Sequence, residues 1–138
     1  MVYGIGCDLC SIARMEKSLL GHHGAVFARR VFGPAEQAAL GLPLAEKEDT
    51  ARRTAHTVAS AAADFAAKEA FLKAAGTGLR EPFSLCEIEA LRLPGGAPAY
   101  RFSGRSAQWV EARRLRAHLS LSHEDGMAMA YCILETET

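Results

Sequence analysis

Glu69 and Lys73 stand four residues apart in the run Phe65-Ala-Ala-Lys-Glu-Ala-Phe-Leu-Lys-Ala-Ala-Gly-Thr-Gly78. These are strong helix formers, and a spacing of four puts the carboxylate and the ammonium on one helix face. The Gly-Thr-Gly stop ends the helix in a turn whose backbone amides can lie near an anion. A carboxylate for a metal, a cation for a phosphate and a glycine-rich stop together suit a phosphate-ester substrate. Asp8, at the end of Gly4-Ile-Gly-Cys-Asp8, offers a second carboxylate. Two hard oxygen donors are what Mg²⁺ takes from a protein when water and substrate phosphate fill its other positions.

Each of these groups has a plainer reading. Glu69 and Lys73 are also an ordinary exposed pair worth about 0.3–0.5 kcal/mol. Asp8 is also a strand-end aspartate capping a turn. Phe65, one turn before Glu69, makes that helix face less than fully polar, which favours the chemical reading. His123, after Ser120-Leu-Ser122, is either a hydrogen-bonded structural histidine or a phosphate contact near a hairpin tip. Arg14 and Lys17 share a helix face, and Arg29-Arg30 follow. They form either a solvated surface or a basic patch for an acidic partner protein, with Leu20 and Phe27 as apolar anchors. Cys7-x-x-Cys10 is a lone pair without a second Cys pair at metal-binding spacing, so redox or zinc chemistry there has weak support.

The elements that must position these residues follow from pattern. Residues 2–9 alternate and predict a strand, with Tyr3, Ile5, Cys7 and Leu9 on one side, Cys7 toward the core, and Val2, Gly4, Gly6 and Asp8 on the other, where the two glycines leave room for a ligand or another backbone. Ser11 caps a helix over 12–20 that stops at Gly21. Gly33-Pro34 opens a short helix, 42–49 is a loop, and 50–75 is helical, too uniformly alanine-rich to locate any break. Strands are predicted at 84–93 and 99–103 around Pro94-Gly-Gly-Ala-Pro98, a helix at 104–116, and strands at 117–123 and 127–135 around Asp125-Gly126. This order predicts an α+β fold with a mainly antiparallel sheet packed with helices.

The chain has 138 residues, 49% of them hydrophobic, with sixteen basic and sixteen acidic residues and no net charge. That fits one globular domain over 1–138 and gives no whole-chain attraction to nucleic acid or membrane. No apolar run is long enough to span a bilayer, and no signal peptide is evident, so a cytoplasmic location with reduced cysteines is expected.

Gly4-Ile-Gly-Cys-Asp8 with Arg14, the run from Phe65 to Gly78, and His118-Leu-Ser-Leu-Ser-His123 before a terminal alanine-rich strand resemble the holo-acyl-carrier-protein synthase family, in its order and over nearly the whole chain. The resemblance implies the 4'-phosphopantetheinyl transferase fold. It implies transfer of 4'-phosphopantetheine from coenzyme A to a serine of apo acyl carrier protein, giving adenosine 3',5'-bisphosphate and supporting fatty acid biosynthesis. It implies Mg²⁺ on Asp8 and Glu69, catalysis by Asp8, Glu69 and Lys73, and coenzyme A contacts from Lys73, Gly76 and His123. It also implies carrier binding through Arg14 and Lys17, and a homotrimer with sites between subunits. The sequence departs from the family at Asp64, where an arginine is usual, at Ala97, where a basic residue is common, and at Met127, where an aromatic is usual. The reversal at Asp64 bears on a phosphate contact or an interface ion pair and leaves the metal ligands in place. The rival from another class is a non-catalytic relative that binds coenzyme A or a carrier protein.

Overall fold

The computed structural model describes residues 1–44 and 51–137. The chain opens with strand β1 (Val2–Ser11) and helix α1 (Ile12–Leu20). The Ser11 hydroxyl caps α1 by accepting from the Arg14 amide at 3.2 Å, as the sequence predicts. Helix α2 (Gly24–Val31) comes next, then α3 (Pro34–Leu40) and the long α4 (Ala51–Ala75). A single 3-10 turn at Leu85–Glu87 leads into β2 (Ile88–Arg92) and β3 (Pro98–Phe102). Helix α5 (Gly104–Ala112), β4 (Leu115–Glu124) and β5 (Met127–Thr136) complete the chain.

The strands form two antiparallel sheets, β1-β5-β4 and the hairpin β2-β3. This is the predicted α+β class. Among the described residues no helix is long and apolar enough to cross a membrane. Most of the predicted 42–49 loop lies outside the described residues.

Helix α4 is the central post of the molecule. Ala61, Ala62, Ala66, Ala67, Ala70 and Phe71 are fully buried along it. It is buried on nearly every side, so its sequence lacks the polar stripe of a surface helix. Its final turns lie directly on β1. A Cβ added to Gly4 would overlap the Ala74 carbonyl oxygen, and one on Gly6 would overlap that of Ala70. Only glycine allows this approach. Beside β1, the inward residues Ala128, Ala130 and Cys132 of β5 continue the same low surface.

This contact is the close backbone approach that the two glycines leave room for, and it corrects the expected facing of Cys7. The glycine face is the buried one, while Ile5, Cys7 and Leu9 are exposed on the outer face; Tyr3, at a register shift of the strand, meets the Trp109 ring edge-on. Cys7 therefore does not point into the core. Cys10 lies on the inner face, so the two cysteines project to opposite sides of the strand. Both are free thiols.

The predicted helix 104–116 ends instead at Ala112. Arg114 takes φ +52°, reversing the chain, and Leu115 already pairs with Thr136. Strand 84–93 begins later than predicted because Leu85–Glu87 makes a helical turn. Helix α2 was not predicted. No side chain caps it, yet Ala28, Val31 and the adjoining Phe32 are buried in the core it builds with Met15, Leu19 and Val58.

A buried polar network ties α3, α4 and β2 together. Lys68 and Glu36, both fully buried, form an ion pair. Lys68 also donates to the carbonyls of Leu85 at 3.1 Å and Ile88 at 2.6 Å. Glu36 accepts from the amides of Gly33 and Ala90, each at 3.0 Å. Burial raises the Glu36 carboxyl and lowers the Lys68 ammonium, and each partner pulls the other back toward its charged form.

Candidate functional site

The glycine face of β1 delivers Asp8 to the end of α4. Gly4 and Gly6 press against Ala74 and Ala70, and Asp8 is the next residue on that face. Lys73 Nζ reaches across to Asp8 Oδ1 at 2.9 Å and donates to the Cys7 carbonyl, also at 2.9 Å. The lysine thus pairs with Asp8 from another element, not with Glu69 one turn away. That hydrogen bond and the Asp8 charge hold the Lys73 ammonium above its usual range.

Glu69 lies half-buried on the same face of α4. Burial raises its carboxyl above the ordinary range, and the negative charge of Asp8 raises it further, against a smaller lowering by Lys73. Two carboxylates that repel each other, one of them partly desolvated, with a cation at their edge, form a donor set suited to a hard divalent ion. Asp8, Glu69 and Lys73 are therefore brought together, as the family resemblance implies. Two carboxylates are the number of protein donors that Mg²⁺ takes when water and substrate oxygens fill its remaining positions, and among the described residues no third His, Cys, Asp or Glu joins them.

Gly76 closes α4 at φ +80°, and Gly78 follows at +67°. Both angles lie in the left-handed region that glycine adopts without strain. The Gly76 amide donates to the carbonyls of Leu72 and Lys73, both at 3.1 Å. It caps the helix rather than pointing at a ligand, so its part in the site is to end α4 beside Lys73.

His123 lies elsewhere. It projects from β4 on the inner face, in register with Ala128 of β5, which pairs in turn with Cys10 of β1. Two strand spacings separate that part of β4 from β1, about 10 Å. His123 lines a cleft of about 360 Å³ with His56, Ser60, Arg92 and Ser122. Within one chain it does not join the carboxylates. Arg92 enters this cleft from β2, and its guanidinium donates to Asp64 Oδ1 at 3.0 Å. Neither Arg92 nor the pairing was read from the sequence, since the two residues are 28 positions apart and on different elements.

Arg14 lines a separate groove of about 260 Å³ with Phe27 and Phe65 at its sides. Lys17 is exposed one turn further along α1. Phe27, read as an apolar anchor, is half-buried at this groove, and Leu20 is exposed.

Comparison with known proteins identifies the family. The model of the 4'-phosphopantetheinyl transferase superfamily matches residues 4–132. The holo-acyl-carrier-protein synthase of Methylibium petroleiphilum is 38% identical over 137 residues, covering 99% of this chain and 98% of that protein. The crystal structure of the Neisseria meningitidis holo-acyl-carrier-protein synthase matches with a TM-score of 0.77 at 32% identity, covering 99% of this chain and 100% of that one. The Bacillus anthracis synthase, solved in complex with CoA (3',5'-ADP), gives 0.73 at 31% identity and covers 99% of both chains. Full-length likeness, at these identities and on one fold, means that the chain belongs to the 4'-phosphopantetheinyl transferase superfamily, within its holo-acyl-carrier-protein synthase family.

Proposed function

We propose that this protein transfers 4'-phosphopantetheine from coenzyme A to a serine hydroxyl of apo acyl carrier protein, supporting fatty acid biosynthesis. The observation that carries this reading is the convergence of Asp8, Glu69 and Lys73 at the end of α4, with Lys73 Nζ 2.9 Å from Asp8. The serine oxygen attacks the phosphorus that bears pantetheine. The bond from that phosphorus to the bridging oxygen breaks, and adenosine 3',5'-bisphosphate leaves.

The obstacle is electrostatic, because a weak nucleophile must approach a negatively charged diphosphate. Asp8 and Glu69 would hold Mg²⁺, which supplies neutralisation of the diphosphate charge when bound. Lys73, exposed at its tip, is placed to stabilise the departing phosphate oxygens. The Glu69 carboxylate or a water beside it would take the serine proton. His123 and its cleft would hold a phosphate-bearing part of coenzyme A. The Arg14 groove and Lys17 would receive the acidic carrier protein. We read the whole as one domain acting in the cytoplasm.

The outer face of β1 and β5 supports a homotrimer with sites between subunits. It exposes Ile5, Leu9, Met129 and Tyr131 side by side, and a contiguous apolar patch of this kind marks a protein contact. Such packing is also a route by which His123 of one copy could serve the carboxylates of another.

Intact mass spectrometry of an apo acyl carrier protein, after incubation with this protein, coenzyme A and Mg²⁺, tests the function. One phosphopantetheine arm should be gained, and EDTA should abolish the gain. Glu69→Gln should lower the rate about a thousandfold while keeping the fold. No gain on several apo carriers, with coenzyme A still bound, would leave the non-catalytic relative as the correct reading.

A further inference from the structure

In sequence, Asp64 looks like a negative charge placed where coenzyme A phosphates should meet a positive one. The structure turns that charge away from the ligand. The Asp64 side chain is 4% exposed, and that of Arg92, 3.0 Å away, is 38% exposed. Asp64 is not among the residues that line the His123 cleft, whereas Arg92 is. The carboxylate sits behind the guanidinium, and only the guanidinium faces the opening.

The contact uses one guanidinium nitrogen, Nη2. A guanidinium has five N–H donors in a planar fork. Most of them remain for the cleft. The other polar lining groups, from His56, Ser60, Ser122 and His123, are able to donate hydrogen bonds, and among the described residues no carboxylate lines the cleft. A pocket with several donors and a fixed guanidinium is suited to a phosphate group.

Helix α4 and strand β2 thus cooperate in a specific way. Asp64 on α4 restrains a long side chain from β2, which would otherwise have to give up rotamer freedom when it met a ligand. Restraint before binding shifts that ordering cost into the folded state.

We propose that Arg92 is a phosphate-binding residue for coenzyme A and that Asp64 is its positioning residue. This inference rests on the coenzyme A reading given above. Arg92 supplies from β2 the positive charge that position 64 does not carry.

The test measures binding of coenzyme A and of 3'-dephospho-coenzyme A by isothermal titration calorimetry without carrier protein, alongside steady-state transfer. Arg92→Ala should weaken coenzyme A binding about tenfold, the scale of one charge-assisted hydrogen bond. KM should rise in step, with kcat within about twofold. Asp64→Asn should weaken binding less. The Asp64→Asn, Arg92→Ala pair should bind no worse than Arg92→Ala alone, because Asp64 acts through Arg92. A structural role for Asp64 would instead add its own loss in the pair.

The analogue arm identifies the phosphate. If Arg92→Ala costs nothing with 3'-dephospho-coenzyme A, the residue holds the ribose phosphate. If the loss persists, it holds the diphosphate. Unchanged coenzyme A binding in a folded Arg92→Ala protein overturns the proposal even when the wild type transfers normally. A wild type that binds coenzyme A but transfers nothing overturns the catalytic reading and leaves the binding comparison able to judge Arg92.

Discussion

Asp64 shows how far a residue's meaning depends on its surroundings. Burial raises its carboxyl from 3.8 to about 7, against the lowering effect of Arg92; Glu36 adds to the rise and Lys68 opposes it. Between about pH 4 and 7 the folded chain therefore holds a proton that the unfolded chain has released. Stability falls as pH rises through that window and levels off above it. Asp64→Asn cannot ionise, so its melting temperature relative to wild type should climb from pH 4 to pH 7 and then stay flat. Thermal unfolding of both proteins across pH 4–8 reads this directly. A constant difference would mean that Arg92 fully offsets the burial. The acidic character of position 64 is plain in the sequence, but its burial and partner are not, because Arg92 comes from a strand 28 residues later. Glu69 and Lys73 on one helix face, and Asp8 beside its glycines, were each legible because side-chain type and spacing are local, but the meeting of Asp8 with Glu69 was not, because no local spacing links β1 to α4. The bond between Lys73 and Asp8 was not, since spacing alone couples Lys73 to Glu69.

At the level of elements, the sequence showed types better than faces. Helix α1 was legible because Ser11 is a side-chain cap and Gly21 a stop. Helix α2 was missed because it begins at Gly24 with no side-chain cap, and packing of Ala28 and Val31 holds it instead. The room beside the two glycines of β1 was legible, but the burial of that side was not, because alternation assigns large apolar residues to the core. Here a helix of small residues lies on the glycines, and the large side chains are left outside. Lys68 is the other hidden element-level residue. In the sequence it is one more cation on an exposed-looking helix, yet it joins α4 to α3 and β2 through Glu36 and two carbonyls. Lys68→Met should leave the Glu36 charge buried without its cation and cost about 3–5 kcal/mol. For a domain of this size that lowers the melting temperature by about 10 °C or more. Adding Glu36→Gln should recover much of the loss, since the stranded charge is then gone. A single-variant loss below about 1 kcal/mol would show that the network relaxes around the change.

At the scale of the whole molecule, the inner face of the three-stranded sheet is filled by α4, and among the described residues Ile5, Leu9, Met129 and Tyr131 of the outer face stay exposed. In register across β1 and β5, Leu9 meets Met129 and Cys7 meets Tyr131. Ile5 is 57% and Leu9 59% exposed. Water against so much aligned apolar surface is unfavourable, at roughly 25 cal/mol for each Å² left uncovered. Copies of the same chain are the partner we propose, because the single-chain site is divided: the carboxylates lie by β1 while His123 lies across the sheet in another cleft. Light scattering should therefore give three times 14.8 kDa. Tyr131→Lys places a charge in the middle of the outer face, where folding of one chain does not need the ring. It should yield a folded monomer, with native circular dichroism, that has lost transfer activity at assay concentrations. Raising the protein concentration should restore part of that activity along with the trimer, since assembly follows mass action. A monomer that keeps full activity would place the complete site within one chain and remove the need for His123 from a neighbour.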